Sequence, residues 1–310
     1  MTISPQIIRL IDEIRNDRTH GASQLARQAI TVLKTTAELS RAKTVEQLWQ
    51  EQQVVGKQLM SARPAMAPLY NIVARFLNTI TPATKGLDIK SARVFTLSTA
   101  ETIIQESLQA VKRIAHIGSS LIRDNDRIMT HSYSSTVVAA LKEAAAKYRN
   151  MAVIVGRSGP NRSGERMARE LAAYDIPLTF IDDAAIGLFV SRAHKVMVGA
   201  DRVCADGGVV NGIGTYLVAL AAQRAGIPFY VLCETLKFDP RTKSTQVDLE
   251  EKEPEQVAAT DALPGVKVKN PYFDITPLEL ITGIITENGM LSREDVLNYM
   301  RKNASLTRPK

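Results

Sequence analysis

The feature that most constrains the fold is a change of pattern near residue 120. Beyond it, short apolar runs alternate with amphipathic stretches. Runs that are apolar on both faces and rich in Val, Ile and Phe are typical of buried parallel strands, which are joined by crossover helices. The pattern therefore predicts an α/β fold built on a parallel sheet. Its strands are expected at 127–131, 151–156, 177–182, 194–201 and 228–234, with a further strand and turn at 281–289.

Before this change, residues 5–118 have apolar side chains at steps of three and four, which predicts helices. Helices are expected near 44–60, 66–80 and 98–117, and the Pro, Gly and Ser content of 81–92 predicts a loop there. The sequence thus predicts a helical N-terminal domain over 1–118 and an α/β domain over 119–310. In the second domain, 240–272 is expected to be a long loop and 292–302 a helix.

The formal net charge is +7, and most of it lies in residues 1–120, which hold 15 Lys and Arg against 9 Asp and Glu. This predicts a basic helical surface, an anionic small ligand or an RNA-bearing partner. Because aromatic residues make up only 5% and do not interleave with basic runs, direct nucleic-acid binding is not expected.

Two cysteines without CxxC spacing, Cys204 and Cys233, favour neither a disulfide framework nor a metal site, and no cofactor is predicted. The N-terminus does not resemble a signal peptide, and no apolar run approaches the length of a membrane span. We therefore expect a cytoplasmic protein without membrane contacts.

Polar residues follow each predicted strand. Because ligands of open parallel sheets bind beyond the carboxyl ends of the strands, these residues are expected to converge on one site. They are His131–Ser135, Gly156–Gly159, Asp182–Asp183, Gly199–Asp201, and Glu234 with Lys237.

Asp201 follows a buried strand, where a carboxylate is unfavourable unless it is paired or used. It is interpreted either as a general acid or base, or as a group that caps a turn or pairs with Arg202. A Ser-His-Asp arrangement of Ser132, His131 and Asp201 is disfavoured, because adjacent strand residues point to opposite faces and no GxSxG motif is present.

Three segments combine small or hydroxyl residues with a predicted helix start: Gly21-Ala22-Ser23 after His20, Ser132–Ser135, and Gly207–Thr215. Free N–H groups at a helix start suit phosphate, while helix capping is the alternative for each segment. Arg63, just before Pro64, suits bidentate phosphate binding, or is a surface arginine.

At these residues the sequence resembles a known family. It is similar to the alpha, beta and delta regulatory subunits of eukaryotic translation initiation factor 2B and their archaeal relatives, a superfamily that includes methylthioribose-1-phosphate isomerase and ribose-1,5-bisphosphate isomerase. The resemblance implies a Rossmann-like C-terminal domain, a homodimer or higher assembly, and a phosphorylated-sugar pocket between the domains. The matching segments are HGASQLARQA (20–29), SARPAMAPL (61–69), RIMTHSYSSTVVAAL (127–141), SGERMARELAAYDIP (163–177), HKVMVGADRVCADGGVVNGIGT (194–215), PFYVLCETLKF (228–238) and NPYFDITP (270–277).

The resemblance also implies roles for single residues. In the isomerases, a cysteine and the aspartate of Gly-Ala-Asp convert an aldose 1-phosphate to a ketose, and that aspartate is Asp201 here. The implied phosphate and sugar contacts are Gly21, Ala22, Ser23, Arg63, Ser134, Ser135, Asn211, Gly212 and Lys237.

Four positions depart from the pattern of the isomerases. Ser132 stands in place of the cysteine, Gly212 in place of a lysine, Gly156-Arg157 in place of Thr-Glu, and His20 in place of an arginine. A serine is a far weaker acid than a thiol, while Arg157 adds a cation that could bind phosphate.

We therefore expect a protein that binds a phosphorylated sugar or a nucleoside monophosphate without turning it over. Two alternatives stay open. One is an isomerase that uses Asp201 with another base such as His131 or His20. The other is a translation-regulatory subunit that engages initiation factor 2.

Overall fold

The computed structural model describes residues 3–17, 19–259 and 263–304. The chain divides into two compact units, residues 1–109 and 110–310, and the division falls inside one long helix. No described helix has both the length and the apolar character that a membrane crossing requires.

The N-terminal unit is helical, as predicted. Apolar positions at helical spacing, such as Ile7, Ile11 and Ile14 of the first helix, are buried in its core. The helices are α1 (Pro5–Asn16), α2 (Ala22–Leu39), α3 (Val45–Met60), α4 (Ala67–Ala83) and α5 (Ile89–Ser120), of which α5 continues into the second unit.

The loop predicted at 81–92 is shorter in the structure. Helix α4 continues through Pro82, and the Thr84 hydroxyl donates to the carbonyl oxygen of Ile80 at 2.7 Å in its last turn. Helix α5 begins early because the Asp88 carboxylate accepts hydrogen bonds from the backbone N–H groups of Lys90 and Ser91. The Asp88 N-cap lies within a segment whose Pro and Gly content predicted a loop, so the start of α5 was not recognised from the sequence.

The second unit is α/β, as predicted. Its strands are β1 (Arg127–Thr130), β2 (Ala152–Gly156), β3 (Leu178–Ile181), β4 (Lys195–Val198), β5 (Arg202–Cys204), β6 (Val209–Gly212), β7 (Phe229–Leu232), β8 (Phe238–Asp239), β9 (Phe273–Thr276), β10 (Gly283–Thr286) and β11 (Gly289–Leu291). Its further helices are α6 (Ser135–Ala145), α7 (Ser163–Ala172), α8 (Ile186–Phe189), α9 (Thr215–Ala225) and α10 (Arg293–Asn303).

The main sheet has seven strands in the order β11-β10-β7-β4-β1-β2-β3, and only the β10–β11 pair is antiparallel. Counted along the chain, the six parallel strands lie in the order 3-2-1-4-5-6, which is the doubly wound arrangement. The order reverses between β1 and β4. Ligands of such sheets bind at this switch point, just beyond the carboxyl ends of these two strands.

A second sheet, in the order β8-β5-β6-β9, was not predicted. The glycine-rich segment expected to be only a turn before a helix forms the β5–β6 hairpin, in which Gly207 adopts a φ of 82°. Val209 and Val210 of β6 are fully buried, and β9 pairs with them from more than sixty residues along the chain. Because strands this short are stabilised by distant partners, local pattern did not reveal them.

Candidate ligand site at the switch point

The segments after β1 and β4 meet closely at the switch point. A side-chain carbon at Gly199, after β4, would lie 2.7 Å from both Cβ and Oγ of Ser134, the N-cap of α6. Only a residue without a side chain permits this approach. The structure thus brings Ser134 and Ser135 of the first segment beside Gly199, two residues before Asp201.

Ser132 lies between two other segments of the site. Its φ is 63°, and its backbone N–H donates to Oγ of Ser158 at 2.7 Å. Its hydroxyl lies 3.2 Å from Oγ of Ser163, at the start of α7. On the other side, a side-chain carbon at Gly212 would lie 2.5 Å from Oγ of Ser132. The two departures at 132 and 212 are therefore in direct contact, and a side chain at 212 is incompatible with the present orientation of Ser132.

His131 is buried, and its ring is held by the segments around it. Nε2 lies 2.7 Å from the carbonyl oxygen of Ile213, and because a carbonyl only accepts, we assign the ring proton to Nε2. Nδ1 lies 3.4 Å from Oγ of Ser158 and 3.7 Å from Oδ1 of Asp183. Burial lowers the pKa of His131, although the Ile213 carbonyl and the Asp183 carboxylate act in the opposite direction.

Two glycines confine the same ring. Side-chain carbons at Gly156 and Gly214 would lie 2.9 Å and 2.6 Å from ring nitrogens of His131. A neutral imidazole held this way is a structural group, so the geometry does not favour His131 as the second base of an isomerase. Its Nε2 is hydrogen-bonded to the Ile213 carbonyl and not to Ser132. The hydrogen bond that a Ser-His-Asp arrangement requires between these two residues is therefore not formed.

Asp183, which follows β3, holds the segment after β2. Its Oδ1 accepts from the backbone N–H of Ser158 at 2.9 Å, and its Oδ2 accepts from that of Gly159 at 2.7 Å. Ser158 has a φ of 58°. Ser158 belongs to the predicted segment Gly156–Gly159, whereas Ser163 was not predicted, because its contact with Ser132 spans 31 residues.

Asp201 lies at the edge where β4 leads into β5, and its backbone N–H donates to the carbonyl oxygen of Val210 at 2.8 Å. Lys237 is buried, and its ammonium group donates to the carbonyl oxygen of Ala200 at 2.6 Å. The Lys237 ammonium thus contacts the backbone carbonyl of the residue before Asp201, just beyond the end of β4. A carboxyl group and an ammonium group at the same sheet edge suit proton transfer next to a bound phosphate.

Asn211 and Arg157 lie in different environments. Asn211 is buried, and its Nδ2 donates to Oγ1 of Thr215 at 2.9 Å. The Arg157 side chain is 39% exposed and lies 3.3 Å from the Asp182 carboxylate. The pKa of Asp182 is held below its usual value, mainly by the hydrogen bond from the backbone N–H of Ala184 and secondly by that from Arg157. Arg157 is thus part of a surface ion pair.

The start of α9 is occupied by a carboxylate. Oδ2 of Asp274 accepts from the backbone N–H groups of Gly214 at 2.7 Å and Tyr216 at 3.1 Å. Burial raises the pKa of Asp274 to about 6, although these two hydrogen bonds act to lower it. The structure therefore favours the capping interpretation of Gly207–Thr215 over a phosphate cradle. The cap comes from a residue 60 positions away.

The helical unit contains the other predicted residues. Gly21 is the N-cap of α2, Ala22 begins the helix, and Ser23 is buried with no hydrogen-bond partner for its Oγ among the described residues. A guanidinium nitrogen of Arg63 donates to the backbone carbonyl oxygen of Asp17 at 2.7 Å.

His20 belongs to the same cluster, since its Nδ1 lies 2.6 Å from Oδ2 of Asp17. Burial acts to raise the pKa of Asp17, but hydrogen bonds from His20 and Thr19 hold it below its usual value. Within this unit, Arg63 and His20 thus meet at one acidic residue just before α2.

Comparisons with known proteins cover nearly the whole chain. The model of the initiation factor 2 subunit family matches residues 18–293. The chain is 35% identical over 303 residues to a ribose 1,5-bisphosphate isomerase of Pyrococcus furiosus, covering 96% of this chain and 94% of that protein. It is 37% identical over 287 residues to a putative translation initiation factor eIF-2B subunit 2-like protein of Pyrococcus horikoshii, covering 92% and 96%.

Among solved structures, the crystal structure of the Pyrococcus horikoshii translation initiation factor eIF-2B matches with a TM-score of 0.82 and 34% identity. The match covers 94% of this chain and 100% of that one.

Proposed function

Because the chain belongs to the initiation factor 2 subunit family, we propose that it isomerises a phosphorylated aldose of the ribose 1,5-bisphosphate type to the 2-ketose. The observation that carries the proposal is the place of Asp201 at the switch point, directly after Ala200, whose carbonyl oxygen accepts from the buried Lys237 ammonium. A relative with the isomerase name, alike over nearly its full length, supports this activity more than the binding without turnover that the sequence favoured.

In the proposed reaction the bond between C1 and the ring oxygen breaks, and the C2 hydrogen moves to C1 as a hydride, with the electron pair of its bond. The C2 hydroxyl loses its proton and becomes a carbonyl, and the ring oxygen gains a proton. Asp201 transfers these oxygen-bound protons, giving one to the ring oxygen and accepting one from the C2 hydroxyl. Lys237 supplies positive charge to the C1 phosphate.

The remaining predicted residues bind or orient the substrate in this proposal. Ser134, Ser135 and Asn211 offer hydrogen bonds, and Gly212 allows close approach of the backbone. Ser132 binds a sugar hydroxyl and does not act as a base, because a serine hydroxyl is too weak an acid to ionise at neutral pH. Arg63, Arg157 and Gly21–Ser23 stay predicted phosphate ligands.

A second candidate is a protein that binds a sugar phosphate or nucleoside monophosphate without turnover and regulates translation through initiation factor 2. The observation that favours it is the site around Ser132. The position of the isomerases' cysteine is a serine, and the neighbouring His131 is buried with its Nε2 bonded to a carbonyl. Neither group is therefore suited to act as a second acid or base beside Asp201.

Phosphorus NMR separates the two candidates. The protein is mixed with ribose 1,5-bisphosphate, methylthioribose 1-phosphate or ribose 1-phosphate. A ketose-phosphate resonance is expected, and Asp201→Asn should slow its appearance by roughly a hundred- to ten-thousandfold. The matched control is Asp248→Asn, an exposed carboxylate in the long loop. Line broadening of the sugar phosphate without product supports the second candidate. If neither line broadening nor product is seen, both candidates are contradicted.

We also propose that the protein forms a homodimer or a larger homo-oligomer through α8 and α9. These helices pack together and expose the large apolar side chains of Leu188, Leu217 and Leu220. In a two-fold symmetric dimer, the same surface patch of each subunit packs against its copy, and an exposed apolar face suits such an interface. Light scattering should give a multiple of the 34.0 kDa chain mass, and Leu217→Asp should reduce it to one chain. A monomer in the unaltered protein would contradict the proposal.

A further inference from the structure

Lys237 is the last residue of a short 3₁₀ turn, Thr235–Lys237, that follows β7. The turn is closed by a hydrogen bond from the backbone N–H of Lys237 to the carbonyl oxygen of Glu234 at 2.9 Å. A 3₁₀ turn of this length has little hydrogen bonding of its own. The position of the Lys237 ammonium group therefore depends on the contacts that hold the two ends of the turn.

The second end of the turn is held by the smaller sheet. Lys237 is followed directly by β8, which pairs in parallel with β5 in a register that places Phe238 beside Val203. Because β5 begins directly after Asp201, this pairing brings Lys237 alongside the segment that contains the proposed acid. The hydrogen bond from the Lys237 ammonium to the Ala200 carbonyl agrees with this register.

The first end of the turn is held by Glu287, which follows β10. Its Oε1 and Oε2 accept from the backbone N–H of Thr235 at 3.2 Å and 3.0 Å, and its Oε1 also accepts from the Thr235 hydroxyl. A carboxylate forms stronger hydrogen bonds than a neutral acceptor. Glu287 thus binds both donors of the residue that begins the turn.

Glu287 is itself placed by the turn between β10 and β11. The Thr286 hydroxyl accepts from the backbone N–H of Asn288 at 3.2 Å and donates to the carbonyl oxygen of Gly289 at 3.0 Å. Since β10 and β7 are parallel neighbours in the main sheet, Glu287 and Thr235 follow strands that end at the same edge. The carboxylate is therefore fixed to the sheet by a hydrogen-bonded turn.

We propose that Glu287 is a positioning residue for the Lys237 ammonium group. Its carboxylate holds Thr235 at one end of the turn, β8 holds the other end, and together they keep the Lys237 side chain against the Ala200 carbonyl. The inference rests on the proposed function, since it takes Lys237 as the cation that binds the sugar phosphate. Glu287 itself contacts no substrate in this assignment.

Chemical labelling tests the position of Lys237 without a sugar. Lys237 is 5% exposed, so acetic anhydride should acetylate it slowly, as measured by mass spectrometry of the digested protein. Glu287→Gln removes the charge and one acceptor oxygen, and it should speed acetylation of Lys237 by roughly ten- to a hundredfold. Lys195, at the start of β4, should keep its rate.

The matched control is Glu294→Gln, an exposed carboxylate in the first turn of α10. It should change the acetylation rate of neither lysine. Equal acetylation of Lys237 in Glu287→Gln and Glu294→Gln overturns the proposal. An equal increase at Lys195 and Lys237 in Glu287→Gln also overturns it, because that result shows a general loosening of the fold.

A double-variant cycle tests whether Glu287 acts through Lys237. In calorimetry with ribose 1,5-bisphosphate, Glu287→Gln should weaken affinity by roughly tenfold. In the Lys237→Met background the same change should leave the remaining affinity unaltered, because the cation that Glu287 positions is gone. Equal losses in both backgrounds would mean that Glu287 acts independently of Lys237, and they would overturn the positioning role.

The two experiments separate this inference from the proposed function. If the unaltered protein binds no ribose 1,5-bisphosphate, the proposed function fails, and the labelling rates by themselves decide the role of Glu287. If the sugar is converted but Lys237 is labelled equally in Glu287→Gln and in the control, the proposed function stands and the positioning role is overturned.

Discussion

His131 and Glu51 are both polar side chains with buried atoms, but their surroundings are opposite. His131, at the switch point, lies among the Ile213 carbonyl, the Ser158 hydroxyl and the Asp183 carboxylate. Oε2 of Glu51, in the helical unit, has no hydrogen-bond partner among the described residues. The difference teaches that a satisfied buried polar group stabilises the fold, whereas an unsatisfied one costs free energy.

Removal of the His131 ring should have the largest effect. His131→Ala leaves a cavity between Gly156 and Gly214 and an unpaired carbonyl at Ile213, so we expect a loss of about 3–5 kcal/mol in the free energy of unfolding. Urea denaturation measures it. His116→Ala, at an exposed position, should stay within about 0.5 kcal/mol of the unaltered protein. Equal losses would show that burial at the switch point has no special role.

Asp274 tests whether a buried carboxylate with two donors still destabilises the fold. Its pKa is raised from 3.8 to about 6, so the folded state binds the proton more tightly than the unfolded state. Its contribution to stability is therefore full below pH 4 and is lost as the pH rises through about 6. The loss amounts to about 3 kcal/mol at neutral pH.

Asp274→Asn removes this titration. We expect its stability relative to the unaltered protein to increase by up to about 3 kcal/mol between pH 4 and pH 7. Urea denaturation of both proteins across this range measures the difference. A difference that does not change with pH would mean that the carboxylate is ionised throughout.

Lys237 of the α/β unit and Arg63 of the helical unit are both predicted to bind the sugar phosphate, and replacing each one tests this prediction. Lys237→Met and Arg63→Ala should each weaken binding of a phosphorylated sugar by about 1.5–3 kcal/mol, the size of a charge-assisted hydrogen bond. Calorimetry with ribose 1,5-bisphosphate measures both. Lys267→Met, an exposed position, is the control. Unchanged affinity in either variant would remove that residue from the site.

The contact between Ser132 and Gly212 predicts a coupled effect. Gly212→Ala places a methyl group 2.5 Å from Oγ of Ser132 and should cost about 1–3 kcal/mol of stability through overpacking. In the Ser132→Gly background the same change should cost much less, because the hydroxyl is gone and glycine tolerates the positive φ. Additive effects in the double-variant cycle would contradict direct contact.

Arg157→Gln should have the smallest effect. The arginine forms an exposed ion pair with Asp182, and such pairs contribute little in water. The thermal unfolding temperature is expected to stay within error, with Arg162→Gln, another exposed arginine, as the control. A clear drop in the unfolding temperature would contradict this prediction, while sugar-phosphate affinity of Arg157→Gln separately tests its predicted phosphate contact.

Local pattern was sufficient for the parts of the fold with strong periodicity. The six parallel strands and most helices lie where the apolar runs and the three- and four-residue spacing predicted them. The extent of α5 was underestimated, because the capping carboxylate of Asp88 lies in a segment whose composition indicates a loop.

Residues that follow the parallel strands could also be identified from the sequence, because the carboxyl ends of parallel strands meet at one edge whatever the details of packing. This argument singled out Ser132, Asp201 and Lys237. It also included Ser158, but it did not find Ser163 or Asp274, whose roles depend on contacts with residues 31 to 60 positions away.

The sequence by itself determined the α/β class, the helical N-terminal region and the polar edge, since each follows from periodicities within a few residues. Tertiary structure alone decided that His131 is a buried, hydrogen-bonded support, that Asp274 occupies the start of α9, and that Ser132 contacts Gly212. The physical reason is that hydrogen bonding and burial of a polar group depend on partners that only the folded chain brings within a few ångströms.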